Sequence, residues 1–221
     1  MASKRRRNKV KFKWNRYLII LIAGIVALSV ATIILSIPSK AKRNLNKWNE
    51  AISTYNSENS TSYSTITSDN VFTEIDESSY KKEVKKVKSI AKSSNYTYFW
   101  YGSLKNGDYL EQLSAINTLA KDYEIKTVYL FYATYVTDAE KNEETNTAEY
   151  KKTVDSYEDI LNADKDADVE SIDLTSYPAL LVYKDGKLIF NSQNDDSDEY
   201  SWSIYIQKAF SFEMVEKASK N

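Results

Sequence analysis

The run Asp164-Lys165-Asp166-Ala167-Asp168-Val169-Glu170 places an acid at every second position, which is how a calcium loop begins. A helix–loop–helix calcium site then needs glycine at its sixth position and glutamate at its twelfth. Here those positions hold Val169 and Thr175, so the run reads as a solvated acidic loop. Asp195-Asp196-Ser197-Asp198-Glu199 reads as the acid-rich start of a helix, favoured by the helix dipole. Acid pairs can be imagined for glycoside hydrolysis, but no spacing singles out two of them. The chain has no cysteine and no histidine. That removes the thiolate nucleophile, the disulfide, the commonest metal ligand and the usual general base. With no positioned base or nucleophile, the expectation is a protein that is not an enzyme, with no catalytic residue, no metal site and no cofactor.

The most informative run is Tyr177-Pro178-Ala179-Leu180-Leu181-Val182-Tyr183-Lys184-Asp185-Gly186-Lys187-Leu188. Proline lacks the donor for a sheet ladder and is tolerated at the first residue of a strand or on an edge. Asp-Gly supplies the positive φ angles of a tight hairpin turn. Pro178 is also the only proline after Pro38.

The elements that surround this hairpin follow from periodicity. Val71–Ile75 is a short strand, and Asp76 or Ser78 can cap a helix over Ser79–Lys92. The lysines of that helix, Lys81, Lys82, Lys85, Lys86, Lys88 and Lys92, make a solvated face, the other reading being a surface for an anionic wall polymer. Tyr96–Tyr101 is a β-prone buried run, Gly102–Asp108 a loop, and Tyr109–Tyr123 a helix with Leu110, Leu113, Ile116, Leu119 and Ala120 on one face. Thr127–Val136 predicts a second central strand and Thr147–Leu161 a helix. After the hairpin, a strand over Leu188–Asn191 and a helix over Ser197–Lys217 complete the order β-α-β-α-β-α-β-β-α. Such an order predicts a mixed sheet with helices on both faces. The 18 tyrosines and 4 tryptophans sit mostly where a core needs covering.

The hairpin run, Phe99-Trp100 at the end of the first central strand and the loop-then-helix after it resemble thioredoxin-like proteins over about Val71 to Ala218. Within that superfamily the chain is most similar to the bacteriocin transport accessory proteins of Gram-positive bacteria. The resemblance implies a thioredoxin-like α/β fold and a redox motif of two cysteines. Counting from Gly102 puts Asn106 and Tyr109 in the cysteine positions, and counting from Phe99-Trp100 puts Leu104 and Gly107 there. None carries a thiol, so thiol–disulfide exchange is excluded for want of sulfur. The resemblance also implies that the backbone before the proline pairs with an extended peptide, a contact that needs no cysteine. On that basis Asn106, Gly107, Asp108 and Tyr109 with Tyr177 and Pro178 form the candidate peptide- or protein-binding groove.

Charge and hydropathy divide the chain. The first 49 residues hold 12 of the 30 Lys/Arg and none of the 31 Asp/Glu, which leaves 18 basic against 31 acidic residues, a net −13, beyond them. So acidic a remainder repels nucleic acid and anionic lipid. Tyr17–Ile37 holds 21 residues without a charge, long enough to cross a bilayer as a helix. The basic residues before it predict an uncleaved signal anchor with the N-terminus in the cytoplasm and the C-terminal domain extracellular. Residue usage of an AT-rich kind, with that anchor, suggests a Gram-positive source. The expected organisation is a basic tail over 1–16, a transmembrane anchor over 17–37, a polar stalk over 38–69 with an uneven helical stretch near Lys40–Tyr55, and a thioredoxin-like domain over 70–221.

The reading is thus a single-pass cell-membrane protein holding a peptide or protein partner of the cell envelope, without redox chemistry. The alternative is a structural subunit of an envelope or secretion complex that uses the fold as a rigid spacer.

Overall fold

Side-chain alternation along β2 (Thr97–Tyr101) sets the layers of the molecule. In a strand successive side chains point to opposite faces. Tyr98 and Trp100 enter one apolar cluster, Phe99 and Tyr101 the other, and every residue of the strand is buried. The structure, a computed structural model, describes residues 38–77, 80–132, 148–194 and 202–219. The chain divides into two compact units, residues 1–43 and 44–221. In the first, Pro38–Arg43 are described: Ser39 Oγ accepts from the Lys42 N–H at 3.3 Å as a helix begins.

That helix is α1 (Lys40–Asn59). It is followed by β1 (Phe72–Glu74), α2 (Tyr80–Ala91), β2, α3 (Gly107–Asp122), β3 (Val128–Phe131), α4 (Ala148–Leu161), β4 (Ala179–Lys184), β5 (Lys187–Asn191), a short 3-10 turn (Ser192–Asn194) and α5 (Trp202–Ser219). The sheet runs β1-β3-β2-β4-β5. β3 is parallel to both β1 and β2, whereas β4 is antiparallel to β2 and β5 to β4. Phe99 stands opposite Tyr129 on one side and Leu181 on the other. Apolar residues of α1, α3 and α5 cover one face, those of α2 and α4 the other. Asp185 at φ 53° and Gly186 at φ 84° make the β4–β5 turn, as Asp-Gly requires. The Tyr177–Pro178 bond is cis.

Two expectations change here. Residues 38–69 are not a stalk: Trp48 and Ile52 of α1, four residues apart, are buried, and Ile66 follows them into the same cluster. Burying an isoleucine or a larger apolar side chain contributes about 1.5–3 kcal/mol, enough to hold an otherwise polar helix against the sheet. The second concerns the membrane. Tyr17–Ile37 lies outside the described residues, and among the described residues no helix is long and apolar enough to cross a membrane. The two longest, α1 and α5, carry charged side chains along their length. The expected α/β fold preceded by a transmembrane helix is therefore corrected to a mixed α/β domain with a five-stranded sheet. The single-pass cell-membrane placement falls with it.

The acidic loop 164–170 closes a sheet edge. Asp166 N–H donates to the Leu188 carbonyl at 2.9 Å, Leu188 N–H donates to the Asp164 carbonyl at 2.8 Å, and Lys187 pairs with Asp166. An outer strand otherwise leaves backbone groups open to pairing.

Candidate functional site

The candidate residues gather at the end of the sheet where β2 finishes and β4 begins. Asn106 caps α3: its backbone is extended (φ −93°, ψ 126°) and its Oδ1 accepts from the Tyr109 N–H at 2.8 Å. This places Asp108 in the first helical turn, exposed and in favour with the dipole. Gly107 lies beneath Tyr55 of α1; a Cβ on it would fall 2.2 Å from the Tyr55 hydroxyl. Tyr109 is completely buried, stacked on Trp100 with ring centres 5.5 Å apart, and edge-on to Tyr132 at 6.0 Å. It forms the floor of this pole rather than a wall of an open groove, which corrects its expected place. Burial pushes the Tyr109 hydroxyl well above the usual tyrosine pKa.

Tyr177 and Pro178 stand across from that helix start. Pro178 is buried, Tyr177 half-buried, and the Tyr177 ring meets Tyr101 edge-on at 6.1 Å. Tyr101, paired with Ala179 across the β2–β4 ladder, stands between the two groups of candidates. The loop before Pro178 is tied down on every side. Tyr101 hydroxyl donates to the Leu174 carbonyl, and Leu174 N–H donates to Glu158 at 2.9 Å. Asp173 N–H donates to Gln193 Oε1 at 2.9 Å, and the Gln193 amide returns bonds to the Asp173 and Ser176 carbonyls. Glu158 carries a raised pKa, chiefly from partial burial, against which the Leu174 N–H works.

Beneath the same end lies a polar cluster that the periodicity did not reveal. Glu74, at the end of β1 and 8% exposed, accepts from Lys47 at 2.6 Å, from Trp48 Nε1 at 2.9 Å and from Tyr132 at 3.4 Å. Trp48 Nε1 also lies 3.0 Å from the Tyr132 hydroxyl. Burial, then the charge of Glu74, holds Tyr132 well above its usual pKa. The groups come from α1, β1 and the residue after β3, so only the fold brings them together. The one local signal was a tryptophan in a segment otherwise too polar to pack. Three buried polar atoms, the hydroxyls of Tyr98 and Tyr109 and Trp100 Nε1, have no hydrogen-bond partner among the described residues.

Chemically this pole can hold and orient a ligand. Its two exposed or half-exposed sides, the α3 cap and Tyr177, offer an aromatic edge, an acid and an amide. Among the described residues no three acidic side chains gather as metal ligands. A depression of about 750 Å³ opens elsewhere, where β2 and β3 begin, lined by Tyr96, Tyr98, Tyr129, Lys126, Glu213 and Lys217. Glu213 and Lys217 pair there at 3.0 Å, and Ser89 and Ser93 share the lining. No family model matches the chain, and no significant match is found among curated proteins or solved structures.

Proposed function

We propose that the chain is a thioredoxin-like module without redox chemistry, which holds a peptide or protein partner at the end of its sheet marked by Tyr177. The role would be an accessory one, of the kind that the bacteriocin-transport resemblance implies. The observation that carries this reading is the seat of Tyr177. An aromatic side chain outside the core rests on buried Tyr101, one residue before a buried proline, on a loop braced by Gln193 and Glu158. Rigid loops that present half-exposed aromatics supply large contact area at little entropic cost, which is what binding anchors need. The strand order and the Asn106 cap support the thioredoxin-like reading, and the lack of cysteine removes thiol chemistry from it.

The test is photocrosslinking of the full chain in the cells that make it, with the probe at Tyr177 and a control at exposed Lys151. A discrete protein or peptide adduct from position 177 alone is the expected result. Equal crosslinking at both positions, or none at either, would overturn the proposal.

A further inference from the structure

Six of the 18 basic residues beyond position 49 fall between positions 81 and 92, in a region of the chain whose net charge is −13. On α2 and just after it, Lys82, Lys85, Lys86, Lys88 and Lys92 are all exposed. The only acid of the helix, Glu83, is turned inward and 4% exposed, with the Tyr157 hydroxyl donating to it at 3.5 Å. Five lysines elsewhere meet acids: Lys47 with Glu74, Lys121 with Asp69, Lys184 with Glu216, Lys187 with Asp166 and Lys217 with Glu213. Lys85, Lys86, Lys88 and Lys92 form no ion pair with any described residue. Exposed Asp155 and Asp159 on neighbouring α4 form no ion pair with them, and Asp164 and Asp185 line the same depression as Lys88 and Lys92 without pairing. Positions 82 and 86, and 88 and 92, are four apart, so like charges face each other along the helix and destabilise it. Two cations near the helix start also oppose its dipole. The helix thus bears a positive face on which Lys85, Lys86, Lys88 and Lys92 pair with no acid among the described residues.

We propose that this lysine face docks a linear polymer with a phosphate backbone. Lys85, Lys88 and Lys92 follow one another at three and four residues, a stripe about 10 Å long. A narrow stripe suits a thread of charge better than a plane, because a flat anionic bilayer would also meet the acidic remainder of the domain and be repelled. No large apolar or aromatic side chain among those described on α2 is exposed, so the described face offers nothing to insert into a lipid surface and no ring for a base to stack on. What it offers is a row of ammonium groups for phosphate oxygens, regardless of what joins the phosphates. This surface is separate from Tyr177, and its test does not depend on the groove.

The experiment measures binding of fluorescent inorganic polyphosphate to the full chain across a salt series, in three forms of the protein. These are the parent, K85Q/K86Q/K88Q/K92Q, and a control with the same charge change at exposed Lys40, Lys42, Lys126 and Lys208. Residues 1–16, themselves basic, contribute equally to all three. Each lost phosphate contact reduces the slope of log K against log salt by about 0.7, so the α2 variant should lose about 3 units of slope and bind at least about tenfold more weakly. The control should stay close to the parent. Poly(glycerol phosphate), oligo-dT and phosphatidylglycerol vesicles then distinguish the sources. Comparable binding of the first two through α2 supports a backbone-reading surface. A parent and α2 variant that bind alike would overturn it, as would α2-dependent binding confined to vesicles or to oligo-dT. Melting curves check the fold, and should the fourfold variant fail to fold, K85Q and K88Q singly must each reduce the slope by about 0.7.

Discussion

The indole Nε1 of Trp48 donates to the carboxylate of Glu74 at 2.9 Å, joining α1 to the edge strand across 26 residues of chain. This bond makes α1 part of the domain. It meets half of what a buried carboxylate requires, while the Lys47 ammonium, 2.6 Å away on the next residue, supplies the countercharge. Helix and strand are therefore held by one apolar anchor and one polar anchor on adjacent residues.

Replacing Trp48 by Phe keeps most of the apolar contact and removes only the donor. A buried acceptor left short of a partner costs about 1–3 kcal/mol, more when it is charged. Urea denaturation of W48F should show that loss. E74Q, which removes the charge and the need for it together, should lose less than W48F. Equal stability of W48F and parent would show that water replaces the indole without cost.

Gly102 follows β2 directly, and a Cβ on it would lie 2.3 Å from Cδ2 of Tyr109. That ring is clamped between Trp100 and Tyr132 and has nowhere to move. Overpacking of this sort costs typically about 1–3 kcal/mol, so G102A should be destabilised to that extent in denaturant melts. G107A meets only the tip of the partly exposed Tyr55, although at 2.2 Å, and should lose less. A reversed order would mean that Tyr55 is held more rigidly than Tyr109.

The sheet and its helices were legible because their signals are local. Tyr96–Tyr101 predicts what is β2 at Thr97–Tyr101, and the Asp185-Gly186 turn lies where expected. Helix α3 begins at Gly107 rather than Tyr109, since Asn106 acts as a cap where Asn-Gly read as loop. Of the strand expected over Thr127–Val136, Val128–Phe131 is formed, and 133–136 lie outside the described residues. The helical stretch expected near Lys40–Tyr55 is α1, but its packing escaped because two buried side chains, Trp48 and Ile52, make too faint a period among polar neighbours. The Glu74 cluster escaped for another reason: its members lie far apart in the chain, Trp48 and Tyr132 by 84 residues, and no spacing rule reaches that far.

Tyr177 is half-buried and packs against the core, its ring edge-on to Tyr101 at 6.1 Å, so melting curves of Y177A are needed to separate its effect on the fold from its effect on binding. Truncating an aromatic anchor at the centre of an interface costs about 2 kcal/mol or more, roughly a thirtyfold loss of affinity for the partner captured at that position. Titration calorimetry with that partner checks this. Unchanged affinity would remove Tyr177 from the interface even if the crosslink forms.

Glu158 gives the loop before Pro178 a pH dependence of predictable sign. Its carboxyl titrates above the ordinary glutamate value in the folded protein, mainly because it is partly buried. The folded state therefore holds this proton more tightly than the unfolded chain does. Between the ordinary and the raised pKa, stability must fall as pH rises, and the penalty is complete above the raised value. The Leu174 N–H, donating at 2.9 Å, offsets part of that penalty. Glutamine at 158 can still accept from Leu174 and has no charge to bury. E158Q should thus match the parent well below the ordinary glutamate pKa and be the more stable of the two at neutral pH. Chemical denaturation of both proteins from acid to neutral pH measures the difference directly. A parent that gains stability relative to E158Q as pH rises would mean that the Leu174 bond outweighs burial, reversing the sign argued here.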